Sequence, residues 1–266
     1  MSEFYTSTDH FVLLPSIYLA VFGCVVMLFE FLLDEADRRK HWLAGISLAG
    51  LAFTGWALWM QQGEVNKGII HSAFHGTLVI DGFSMLFNWI FLATAAIVIL
   101  ISYRYLEIEG EHRAEYYGLV LLAQCGMFFL ATGHDLITLF IGIELMALCF
   151  YIMVGFLRDV RRSNEAALKY LLLGAFSSGF LAFGFSMLYG VSGSTNLREI
   201  ASAIASRGVW DPLTFLALAT TSVGLFFKVS AAPFHMWAPD AYEGAPTTIT
   251  AYLSVGSKVA SFAILL

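Results

Sequence analysis

Charge is what this chain has least of. Only 13% of its 266 residues are Asp, Glu, Lys or Arg, 59% are hydrophobic, and the mean hydropathy is +0.75. Soluble domains carry about a quarter charged residues and about half apolar ones, so the composition points to an integral membrane protein. Arginine is missing from the long apolar runs, which argues against permanently charged anchors at depth. Cysteine is scarce too: Cys24, Cys125 and Cys149 all lie in apolar runs without CxxC spacing. They read as packing residues rather than ligands for zinc or an iron–sulfur cluster. There is no GxGxxG after a strand, no P-loop, no metal-spaced His/Cys cluster and no nucleophile elbow, so no redox or hydrolytic site is read on this polypeptide alone. The net charge of -6 is spread over connectors such as Asp34, Glu35, Asp37 and Glu107, Glu109, Glu111, Glu115. These read as solvated loop faces and give no argument for a nucleic-acid partner. The start, MSEFYTSTDH, lacks a basic n-region, and the first apolar run is long enough to span, so no cleavable signal peptide is read.

What the chain does have is length of apolar run. A transmembrane helix needs about 20 predominantly apolar residues. Eight segments qualify, near 11–33, 42–61, 82–103, 116–133, 135–157, 167–190, 212–231 and 247–266. Strands of a membrane barrel would alternate at period two, so the fold is read as an all-α bundle of about eight membrane helices. The run LLLGAFSSGFLAFGFS supplies small residues for close helix packing. Eight Lys and Arg fall in one set of connectors and three in the other, which puts the N-terminus outside. Residues 195–208, TNLREIASAIASRG, carry Leu197, Ile200, Ala201 and Ile204 at helical spacing and are too short to span, so they read as an amphipathic helix at the outer surface. The seventh segment does not end cleanly. Lys228 is followed by VSAAPFHMWAPDAYEGAP, in which Pro233 and Pro239 each remove a backbone donor. Broken helices at membrane depth are where transporters place ion sites. The eighth segment stops at SFAILL without a trailing loop, which reads as a truncated chain.

Of the charges inside these runs four stand out: Glu144, Lys169, Lys228 and Lys258. A lysine at the bilayer centre costs roughly 2.5–3.5 kcal/mol even on insertion scales, and unlike arginine it can lose its proton when buried. Glu144 lies about 13–14 Å into its helix, and Lys228 lies a few residues before the break. Each is the other's natural counter-ion, either as a static pair fixing helix packing or as a pair whose separation sets the lysine's protonation. Lys258 is mid-helix and cannot easily snorkel. Lys169 lies two to three residues inside its helix, where snorkelling is a real alternative. His235, after Pro233, is either a proton relay or a structural histidine. His71, His75, His112 and His134 read as surface residues, Glu30 as an exposed interfacial carboxylate, and Asp81 as an N-cap.

The run KVSAAPFHMWAPDAYEGAPTTITAYLSVGSK, residues 228–258, resembles the hallmark of the antiporter-like membrane subunits of respiratory complex I, and its wording is most similar to subunit N. HDLITLFIGIELMALCFYIMVGF and EAALKYLLLGAFSSGFLAFGFSMLYG support the resemblance, which covers nearly the whole chain. It implies a membrane-arm subunit coupling electron transfer from NADH to quinone to proton translocation, in the inner (plasma) membrane. It also implies that Glu144 and Lys228 are the coupling pair, Lys169 an additional lysine, His235 the histidine after the break, and Lys258 the lysine towards the central axis. The family carries two inverted five-helix repeats. Residues 111–266 would be the first, after a three-helix region over 1–110, with the second absent. No cofactor is implied on this chain: NADH, flavin, iron–sulfur clusters and quinone would sit elsewhere in the complex. The implied partners are neighbouring antiporter-like and small hydrophobic subunits, and the lipid bilayer. Two relatives compete with this reading: a subunit of a multisubunit sodium/proton antiporter, and a hydrogenase- or methanophenazine-linked subunit.

Overall fold

The computed structural model describes residues 5–30 and 41–266. Among them, eight helical spans are long and apolar enough to cross a membrane, and the chain is a multi-pass membrane protein. The first three are α1 (Ser7–Phe29), α2 (His41–Val65) and α3 (Gly82–Glu109). Next come α4 (Ala114–Thr132), α5 (Leu136–Val154) and α6 (Arg161–Ser192). A short α7 (Leu197–Arg207) precedes α8 (Pro212–Val229) and α9 (Trp237–Gly244). The last span is α10 (Thr247–Tyr252), a π-helical turn over Leu253–Ser257, and α11 (Lys258–Leu265). Large side chains such as Trp42, Trp59, Leu100 and Phe176 stand exposed on the outer helix faces, where an aqueous protein would not place them and lipid would. The most enclosed span is α4, packed by α1, α3 and α5.

Helix ends follow capping chemistry more closely than hydropathy. Thr6 and Asp9 form a capping box that starts α1 at Ser7, four residues before the apolar run suggests. The run's far end, residues 31–33, and the basic connector Arg38, Arg39, Lys40 lie outside the described residues. Asp81 caps α3 through the Ser84 amide at 2.8 Å, as its position implies. Helix α6 starts at Arg161 rather than 167, because Ser163 Oγ donates to Val154 O at 2.7 Å and Asn164 Nδ2 to Arg158 O at 2.7 Å, ordering a polar first turn that hydropathy misses. Residues 195–208 do form a short amphipathic helix, capped by Asn196 and burying Ile200.

Three features depart from a purely helical reading. Between α2 and α3 a small antiparallel hairpin pairs β1 (His71–Ala73) with β2 (Leu78–Ile80). It is held on α1 by Asp9, which accepts from the Phe74 amide at 2.7 Å. The break after α8 falls at Ser230, in the left-handed region at φ 59°, before either proline. Pro233 lies in the turn that follows. Pro239 lies inside α9, in its first turn, where an amide has no intrahelical partner to lose. The π-helical turn interrupts the eighth span just before Lys258, which becomes the first residue of α11. Such turns occur often at functional sites.

Candidate functional site at the broken helix

The site is built on α5, α6, α8 and α11. Helix α6 packs on both α5 and α8, and the approach to α8 is close. A Cβ at Gly184 would lie 2.6 Å from the Thr221 amide nitrogen, so only glycine fits there. Lys228 is in the last turn of α8 and is only 7% exposed. Its neighbour in the break, Ser230, sends its amide back to Phe226 O and Phe227 O. Carbonyls of the cut helix end also receive side-chain donors. Trp237 Nε1 donates to Phe227 O at 2.9 Å and Lys258 Nζ to Lys228 O at 2.9 Å, with Ser230 Oγ 2.5 Å from the same ammonium. A helix C-terminus carries a partial negative charge that favours cations. The break therefore creates, at membrane depth, a place that attracts Lys258 and lies beside Lys228. Lys258 Nζ also lies 4.4 Å from the Trp237 ring centroid, a cation–π contact.

Glu144 is the ninth residue of α5, where the sequence places it, and is half-buried. No ion pair within 4.0 Å joins it to Lys228 among the described residues. Ser178 Oγ on α6 donates to Glu144 Oε1 at 2.5 Å instead. The reason is geometric: α6 lies against both α5 and α8 and presents Ser178 to the carboxylate. Glu144 and Lys228 still interact electrostatically. The buried ammonium makes no hydrogen bond among the described residues. Its aromatic neighbour is Tyr151, with the ring centroid 6.0 Å from Nζ.

Two further sequence-derived candidates stand apart. Lys169 is nine residues into α6, not two or three. It bridges Glu165 at 2.9 Å and Asp240 of α9 at 3.2 Å. Beside this cluster Arg162 pairs with Glu243, tying α9 to α6. His235 is exposed in the turn before α9, and the structure does not bring it to Lys228. Two residues read as surface groups are engaged: Glu30 accepts from the Ala114 amide at 2.8 Å, and His112 is buried with Nε2 2.9 Å from the Tyr117 hydroxyl. Ser178, Tyr151, Trp237 and Asp240 were not picked out from the sequence. Tyr151 could have been, since it lies seven residues after Glu144 and so on the same face of α5.

The sequence pattern of the family described as "NADH:quinone oxidoreductase/Mrp antiporter, TM" matches residues 133–266, half of the chain. This chain belongs to that family. It is 64% identical over 267 residues to NADH-quinone oxidoreductase subunit N 2 of Solibacter usitatus, covering 100% of this chain and 54% of that protein. To subunit N 1 of Koribacter versatilis it is 49% identical, covering 97% and 52%. Among solved structures, a chain of respiratory complex I from Thermus thermophilus with bound aureothin superposes with a TM-score of 0.76 at 32% identity, over 94% of this chain and 52% of that one. The chain thus spans about half the length of the curated relatives it matches. Within the family match, Glu144, Lys169, Lys228, His235 and Lys258 all fall in the shared region.

Proposed function

We propose that this chain forms part of a membrane-arm subunit of an NADH:quinone oxidoreductase and moves protons across the membrane, driven by electron transfer from NADH to quinone elsewhere in the complex. The observation that carries this reading is Lys228: a lysine buried at a helix break, without a hydrogen bond among the described residues, in electrostatic reach of one carboxylate. A buried charge that loses its partner costs several kcal/mol. A small change in the Glu144–Lys228 separation therefore decides whether the ammonium keeps its proton. Lys258, on the carbonyl of Lys228, is placed to respond, because two cations at one helix end disfavour each other. Lys169 with Asp240, and His235, would serve the cytoplasmic approach. The NADH, flavin, iron–sulfur and quinone sites would lie on other subunits, and this chain would bind neighbouring antiporter-like and small hydrophobic subunits and lipid. Residues 111–266 would form one antiporter-like repeat after a three-helix region over 1–110. The basic-residue count supports an outside N-terminus, in the inner (plasma) membrane of the cell.

The family description also names Mrp antiporters, so a sodium/proton antiporter subunit is the second reading. The names of the relatives at 64% and 49% identity support the first. The test is proton pumping by the assembled complex in everted membrane vesicles. Lys228→Ala and Glu144→Ala are expected to lower NADH-driven pumping by about tenfold or more. Lys67→Ala, which removes a surface pair with Glu64 at 2.7 Å, should leave it unchanged. Near-normal rates in all three would overturn the proposal.

A further inference from the structure

We propose that the hydroxyl of Tyr151 is the proton relay between Lys228 and Glu144, an inference that rests on the function proposed above. Tyr151 is 6% exposed, and its buried Oη makes no full hydrogen bond among the described residues. An unpaired buried hydroxyl costs about 1–3 kcal/mol. A phenylalanine would avoid that cost with the same ring, so the hydroxyl has a use beyond packing.

Its placement specifies the use. Tyr151 lies two turns after Glu144 on one face of α5, and helical side chains lean towards the helix N-terminus, so the ring reaches back towards Glu144. Its Oη lies against α6 at Gly174, one turn before the Ser178 that donates to Glu144. Lys228 Nζ is 6.0 Å from its ring centroid. Room for the hydroxyl comes from α6, where a Cβ at Gly174 would lie 2.0 Å from Tyr151 Oη, so that position is held open by glycine. Ser178, one turn further along α6, donates to Glu144. The ring is fixed by an edge contact with Tyr170 at 4.7 Å and 81°. Tyr170 in turn stacks on Trp237 at 4.5 Å, beneath Lys258. One aromatic row therefore runs from Lys228 to Lys258, and its first member carries its hydroxyl on the α5 face that bears Glu144.

The transfer balances. The Lys228 ammonium gives a proton to Tyr151 Oη, Tyr151 gives its own to Ser178 Oγ, and Ser178 gives its own to Glu144 Oε1. The products are a neutral amine and a neutral carboxylic acid. Each hydroxyl is restored, and no electrons move.

Tyr151→Phe in the assembled complex tests this, with pumping in vesicles normalised to the amount of complex and measured in water and in deuterium oxide. The expected result is a loss of about tenfold or more with a larger solvent isotope effect, as proton transfer becomes limiting. Unchanged pumping, while Lys228→Ala abolishes it, would overturn the relay and leave the proposed function standing. A loss without any change in isotope effect would also overturn it, since that marks a packing role. Should the Phe variant not assemble, Ser178→Ala carries the test, and normal pumping there would contradict the relay. Normal pumping in Lys228→Ala would instead sink the function itself.

Discussion

Carboxylates at the helix ends of this protein and the Glu144, Tyr151 and Lys228 group in its middle are treated in opposite ways. At the ends, carboxylates are closed off. Asp9 takes the Thr6 amide, the Thr6 hydroxyl and the Phe74 amide, and Asp81 takes the Ser84 amide. Asp135 takes the amides of Ile137 and Thr138, and Asp211 takes the amide and hydroxyl of Thr214. In the middle, neither Lys228 Nζ nor Tyr151 Oη makes a full hydrogen bond among the described residues, and Glu144 is held by one serine. Satisfied groups fix the fold, because each has one favourable arrangement and no reason to leave it. Groups left open keep a second protonation state within reach, at a cost in stability that the surrounding bundle carries.

The contrast can be broken by moving a group from one class to the other. The largest effect is expected for Glu144→Gln. It keeps size and hydrogen-bonding capacity but removes the charge facing Lys228, so pumping should fall about tenfold or more while the complex still assembles. Pumping rate per assembled complex is the readout. Next is Trp237→Phe, which leaves the buried Phe227 carbonyl without its indole donor. The lost hydrogen bond and the smaller buried ring together should cost about 1–3 kcal/mol, seen as a lower melting temperature of the purified complex. Smaller again is Asp81→Ala at the end of α3. It should cost about 1 kcal/mol and leave the pumping rate per complex unchanged. A loss of pumping there would erase the distinction between ends and middle.

The smallest effect is a pH dependence. The Thr214 amide, then its hydroxyl, hold the Asp211 carboxyl below the usual carboxylate range. A carboxyl lowered in the folded state adds stability above its unfolded pKa and loses it as pH falls through the lower folded value. The difference in melting temperature between the protein and Asp211→Asn should therefore shrink on acidification. A difference that stays constant from neutral to acid pH would contradict that assignment.

The spans were legible because apolar run length is a property of sequence alone. So were Glu144, Lys228 and Lys258, because a charge in an apolar run is conspicuous wherever it stands. What was not legible depends on contacts between runs. Ser178 looks like one small residue among many in LLLGAFSSGFLAFGFS, and only α6 packed against α5 shows that it holds Glu144. Tyr151 and Trp237 look like ordinary aromatics until Gly174 and the cut end of α8 are brought beside them. The break was expected at the prolines and occurs at Ser230, because a left-handed residue ends the helix before Pro233 is reached and Pro239 sits where a helix tolerates it. Lys169 was placed too near a helix start because its polar first turn has no apolar signal.

The central claim is that Glu144 and Lys228 exchange a proton rather than remain a fixed pair. Infrared difference spectroscopy of the complex during turnover tests it most directly. The account predicts a protonated carboxyl band that appears on turnover and vanishes in Glu144→Gln. A turnover spectrum with no carboxyl band attributable to Glu144 would contradict it.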